Sequence, residues 1–115
     1  MKGNVLLIQE DLIVRRIIER MFLVNEYNCT SLSSLEQIKP EDISHHYKFV
    51  ISDLVFRGVS PMEYVIHLQE VLKYEKIIIV SILGQEKMKR NVSRLTEVNA
   101  YYKFPVDLED IEAQI

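Results

Sequence analysis

Two hydrophobic rhythms alternate along the chain. Val5-Leu6-Leu7-Ile8, Phe49-Val50-Ile51 and Ile77-Ile78-Ile79-Val80 are short, uninterrupted and rich in β-branched residues, the composition of strands covered on both faces of a parallel sheet. They are predicted as central strands. Asn28 to Leu32 and Ala100 to Phe104 are more mixed and suit strands nearer an edge. The intervening stretches have helical spacing. In the first, Ile13, Val14, Ile17, Ile18, Met21 and Phe22 form an apolar face, while Arg15, Arg16, Glu19 and Arg20 form the wet one.

Cap and stop signals place the other helices. Ser34 with Gln37 three residues later has the form of a capping box, and Pro40 is expected to stop that second helix. Ser60-Pro61-Met62-Glu63 predicts a third helix, running to about Lys73. A polar fourth follows Gly84, from Gln85 to Glu97, and Asp107 opens a fifth with Asp110 three residues on. The order is strand then helix, five times. Right-handed crossovers turn it into an α/β fold, a doubly wound (βα)5 five-stranded parallel sheet in a three-layer α/β/α sandwich. The functional crevice of such a sheet lies beyond the carboxyl ends of its strands.

Composition narrows the class. With 115 residues, 48% of them hydrophobic, and a net charge of −3, the chain is expected to be one globular domain that needs no staple to fold. Its longest apolar runs fall far short of the roughly 18 residues of a membrane span, and no signal-peptide pattern opens it. A cytoplasmic protein is expected, with no membrane partner. The single Cys29 excludes an internal disulfide. Mild acidity argues against direct nucleic-acid binding, which rests on clustered Lys and Arg.

The strand ends collect the chemistry: Gln9-Glu10-Asp11, then Ser52-Asp53, then Ser81, and finally Lys103. Carboxylates meeting at one sheet edge repel unless a hard divalent cation lies between them, and oxygen-only ligation suits Mg²⁺. A hydroxyl and an ammonium beside that cation complete a set fitted to in-line phosphoryl transfer onto a carboxylate. Other signals are weaker. His45-His46 falls in a loop without a third ligand in spacing, and His67 lies within a helix. With three glycines and no glycine-rich loop after the first strand, nucleotide or flavin binding is improbable.

In order and spacing these pieces resemble the receiver domains of two-component response regulators, a flavodoxin-like fold that includes the stand-alone chemotaxis type. The matching elements are Val5 to Asp11 with Arg15-Arg16, Phe49 to Asp53, Ile79-Val80-Ser81, and Tyr102-Lys103-Phe104-Pro105. The resemblance covers residues 1–115 as a single receiver domain, and the short fifth helix suggests that the chain continues, with an output domain cut away. It implies that Asp53 is the phosphoacceptor, that Glu10 ligates Mg²⁺ together with Asp53 and the backbone carbonyl of Val55, and that Gln9 occupies the place of a second acid. It further implies that Ser81 contacts the phosphoryl group and that Lys103 bridges toward it. The partner is then a bacterial sensor histidine kinase or a phosphotransfer protein, and the module hydrolyses its own acyl phosphate at most, without metabolic activity.

The departures from this pattern cluster. Gln9 removes one formal charge from the metal pocket. Asp11 would face away from Glu10 if the strand ran through it, although a turn would bring it back. Phe56-Arg57-Gly58-Val59-Ser60-Pro61 replaces the usual Met-Pro and Asp-Gly loop. The aromatic expected three places before the lysine is Ala100, with Tyr101 adjacent. Phe104 separates Lys103 from Pro105, and tertiary context decides that peptide bond's isomer. These departures support an alternative, a degenerate receiver acting as a phosphorylation-independent interaction domain. Lys87, Lys89, Arg90 and Arg94 on the fourth helix oppose Asp107, Glu109, Asp110 and Glu112 on the fifth, which suggests a salt-sensitive homodimer through the fourth helix, fifth strand and fifth helix.

Overall fold

Five parallel strands in the order β2-β1-β3-β4-β5 form the sheet: β1 (Asn4–Ile8), β2 (Asn28–Leu32), β3 (His46–Ser52), β4 (Lys73–Ser81) and β5 (Ala100–Lys103). The computed structural model describes residues 2–53, 60–81, 98–103 and 105–115. The fourth helix expected over residues 85–97, the loop containing Val55, and Phe104 lie outside them. Among the described residues no helix is long and apolar enough to cross a membrane.

The three aliphatic runs occupy the centre of the sheet, and Val5, Leu6, Leu7, Ile8, Ile77, Ile78 and Ile79 are completely buried. Period-2 geometry sends alternate residues to opposite faces. Leu6, Ile8, Val50, Ile77, Ile79 and Tyr101 pack under helix α3 (Pro61–Val71) with Tyr64, Val65 and Leu68. Val5, Leu7, Phe49, Ile51, Ile78 and Val80 pack under α1 (Leu12–Val24) and a short C-terminal helix (Leu108–Glu112) with Ile18, Met21, Phe22 and Ile111. Covering both faces is what removes polar alternation from the strands.

Tertiary packing departs from the local expectations at four places. On α1 only part of the apolar face is covered: Ile18, Met21 and Phe22 are buried and Val14 half-buried, whereas Ile13 and Ile17 lie exposed. A helix resting on a sheet buries one arc, and the apolar arc here is wider. Ser34 heads only a 3-10 turn (Leu35–Gln37) without a side-chain cap, and Gln37 Oε1 accepts instead from the Ser33 amide at 2.7 Å. Pro40 does not stop that element but opens α2 (Pro40–Ser44), where its missing N–H costs nothing at the first helical position. Asp42 Oδ2 accepts from the Lys39 amide at 2.9 Å and ties that start. α3 ends at Val71, two residues earlier than expected, and β4 starts at Lys73, four residues before its aliphatic run. β3 likewise begins at His46, so only His45 lies in the connection, as the cap residue after α2, while His46 opens the strand; both are exposed.

The turn after α1 has an identifiable cause. Glu26 takes a left-handed conformation with φ 67°, its amide bonds to Leu23 O at 3.0 Å, and the Tyr27 amide bonds to Phe22 O at 2.9 Å. This is a Schellman closure with glutamate where glycine is favoured, sealed by the Phe22 and Tyr27 rings edge to face at 5.8 Å. It returns the chain directly into β2.

Candidate functional site

Parallel pairing brings the chemistry-bearing residues to one edge of the sheet. Ile8 is level with Ser52, and Ser81 with Lys103. The Asp53 amide donates to Ile8 O at 3.0 Å, extending the β1–β3 ladder one residue past the end of β3. Asp53 is therefore held by backbone bonding at the carboxyl end of a central strand, 8% exposed. Ser81 ends β4 and is fully buried, Lys103 ends β5 and is exposed, and Glu10 is exposed in the connection after β1.

That connection resolves the roles of the three residues after Ile8. Gln9 is buried, its amide donates to Leu32 O at 3.0 Å, and its carbonyl accepts from Arg15 Nη1 at 2.8 Å. Its side-chain Oε1 accepts from the Asp11 amide at 3.2 Å. Asp11 Oδ1 accepts from the amides of Ile13 and Val14 at 2.9 and 3.1 Å, capping α1. The strand has ended before Asp11, but the turn gives that carboxylate to the helix start rather than to the neighbourhood of Glu10. Gln9 and Asp11 thus build the bend, and Glu10 is the acid left at the edge.

Two buried phenols back the site. Ser52 Oγ lies 2.8 Å from both the Asp53 carbonyl and the Tyr64 hydroxyl. Ser52 has one proton; with that proton on the Asp53 carbonyl, Tyr64 donates to Ser52. Tyr101 shares a hydrogen bond with Ser81. Burial raises the pKa of both phenols, and the negative charge of Asp53 adds to the effect in each, so both stay protonated donors across the neutral range. The aromatic expected near the lysine is Tyr101, two places before Lys103, on the α3 face; Ala100 lies half-buried against the opposite cluster. The sequence pattern did not single out Tyr64. Its place in the first turn of α3 was legible, but the pairing with Ser52 spans a crossover and had no local signal.

For a metal, the donor set is oxygen only: the carboxylates of Asp53 and Glu10, with the Val55 carbonyl outside the described residues. Hard, partly solvent-facing oxygens of this kind fit a small divalent cation that keeps several waters. Among the described residues no group of three or more His, Cys, Asp or Glu side chains could hold a metal ion, so carbonyls and waters would supply the other positions. His46 opens β3 at the edge of the sheet opposite Asp53, with His45 just before it, and His67 is exposed on α3.

No protein-family model and no curated protein matches the chain. Solved structures do. A two-component response regulator from Clostridium difficile superposes with a TM-score of 0.86 at 12% identity, over 98% of this chain and 92% of that one. A Vibrio cholerae chemotaxis protein gives 0.80 at 13% identity, over 99% and 96%. A Burkholderia pseudomallei response regulator with a phosphorylated aspartic acid, calcium ion and citrate gives 0.83 at 14% identity over 97% of this chain; the chain spans only 65% of that protein. The chain has the fold of response-regulator receiver domains.

Proposed function

We propose that this chain is a receiver module of two-component signalling whose Asp53 accepts a phosphoryl group from the phosphohistidine of a partner kinase or phosphotransfer protein. The observation that carries the reading is Asp53 itself, a nearly buried carboxylate pinned by its amide to Ile8 at the carboxyl end of a central strand, on a fold shared with receivers. In the transfer an Asp53 carboxylate oxygen attacks phosphorus, the P–N bond breaks with its electron pair returning to imidazole, and a P–O bond forms. Lys103 and the Ser81 hydroxyl are assigned to the phosphoryl oxygens. Mg²⁺, when bound by Asp53, Glu10 and the Val55 carbonyl, neutralises charge on those oxygens, with Gln9 as a weaker contributor. Tyr101, bonded to Ser81, is the side chain in reach of a change at that hydroxyl. Self-association through residues 85–97, β5 and the C-terminal helix belongs to the same reading.

One observation favours the second reading, a degenerate receiver that binds a partner without phosphorylation. The residue at the second acid's place is a glutamine whose side-chain oxygen accepts from Asp11, and Asp11 is engaged in capping. Intact mass after incubation with a small phosphodonor and Mg²⁺ separates the two. One phosphoryl group gained, and lost both in Asp53→Ala and without metal, is the expected result; Glu10→Ala then weakens Mg²⁺ binding. No adduct on folded protein at any donor or Mg²⁺ concentration rejects the first reading in favour of the second.

A further inference from the structure

Ser52 and Tyr64 bury two hydroxyl groups where filling space requires none. Each residue is 1% exposed, and Tyr64 belongs to the apolar cluster between the sheet and α3. An alanine and a phenylalanine would occupy nearly the same volume with no polar atom to satisfy. What that apolar pair could not do is hold the Asp53 carbonyl, which accepts from Ser52 Oγ at 2.8 Å.

The bonds form a directed chain. With the single Ser52 proton on the Asp53 carbonyl, the Tyr64 hydroxyl is the donor to Ser52 Oγ, again at 2.8 Å. Tyr64 closes the first turn of α3, its amide bonded to Ser60 O at 2.9 Å, so it reaches the end of β3 from a separate element. The paired residues of β3 stop at Ser52, and the Asp53 amide adds one more bond, to Ile8 O. Past that point the serine hydroxyl takes over and engages the Asp53 carbonyl. Both peptides flanking the Asp53 Cα are therefore anchored, one to β1 and the other through Ser52 to α3. With φ and ψ held, the carboxylate keeps only its own side-chain torsions.

We propose that Ser52 and Tyr64 are positioning residues for phosphoryl transfer to Asp53, aiming its carboxylate through the bond to its carbonyl. The proposal rests on Asp53 being the acceptor. An Asp53 oxygen forms the new P–O bond as the donor's P–N bond breaks, with the electron pair staying on nitrogen. That in-line attack is sensitive to aim, since a misplacement of about 1 Å costs on the order of 10²-fold in rate. Neither hydroxyl is assigned a contact with the phosphoryl group, and Tyr64 acts only through Ser52.

The test is the rate of adduct formation with phosphoramidate and saturating Mg²⁺, followed by intact mass at a temperature where circular dichroism shows every variant folded. Ser52→Ala is expected to slow the reaction by about tenfold and Tyr64→Phe by about threefold to fivefold. The double variant is expected to be no slower than Ser52→Ala, because Tyr64 has no route to Asp53 without that hydroxyl. Ser52→Thr keeps the hydroxyl and is expected to recover most of the rate, which a role in packing alone would not predict. Folded single variants that react at the wild-type rate overturn the proposal and leave Asp53 as the acceptor. A double variant slowed by the product of the two single effects, or a threonine no faster than alanine, overturns it as well. A wild type that gains no phosphoryl group rejects Asp53 as the acceptor, and the positioning role falls with it.

Discussion

Replacing Tyr64 by phenylalanine removes one oxygen and leaves the ring in its packing. That oxygen sits 2.8 Å from Ser52 Oγ in a fully buried setting. A buried hydrogen bond contributes about 1 kcal/mol net, and leaving the Ser52 oxygen without this partner adds about 0.5–1 kcal/mol, so Tyr64→Phe should cost about 1.5–2 kcal/mol. Ser52→Ala loses the same bond and the one to the Asp53 carbonyl, and should cost about 2 kcal/mol. The double variant loses the shared bond once. Its cost should therefore fall short of the sum by about 1 kcal/mol. Urea unfolding followed by circular dichroism measures all four proteins, and Tyr64→Phe alone should lower the midpoint on the order of 1 M. A Tyr64→Phe midpoint indistinguishable from wild type, or strictly additive costs, would refute the claim that α3 is tied to the Asp53 peptide through Ser52.

Two other consequences are open to measurement. Glu26→Gly relieves the left-handed backbone at φ 67° while keeping both closing bonds, and should stabilise the fold by about 0.5–1 kcal/mol, read as a higher urea midpoint; a lower one would mean that the glutamate side chain outweighs the strain. Burial pushes Tyr47 up to about 12 and holds Tyr64 and Tyr101 above their ordinary value. The folded state thus keeps phenol protons that the unfolded chain gives up near pH 10, so stability is full below about pH 10 and falls as pH climbs toward the folded-state values. Unfolding midpoints from about pH 8 to pH 11 should show this decline, with part of the tyrosinate absorbance appearing only on unfolding; a flat profile would contradict the burial of these phenols.

How much was legible beforehand follows from the range over which each feature is decided. The aliphatic runs 5–8, 49–51 and 77–80 became central strands because a strand with no polar residue has nowhere to be but between two covering layers. Once those strands were placed, parallel pairing left their ends at one edge, so Asp53, Glu10, Ser81 and Lys103 could be grouped before any side chain was located. The acid that would replace Gln9 was open to two readings, and Asp11 was settled by two amides at the start of α1.

Tertiary structure decided what the local pattern leaves ambiguous. Proline both ends and begins helices, so Pro40 could not announce which; the extended Lys39 before it and Asp42 after it made it a beginning. An apolar arc on a helix shows that something is to be covered, but the sheet takes only the part it can reach, and Ile13 and Ile17 were left outside. The partners of Ser52 and Ser81 are phenols from α3 and β5. Sequence specifies which groups must be buried or satisfied, because burial and hydrogen bonding act residue by residue; which group satisfies which is decided by the crossovers that bring distant elements to the same place.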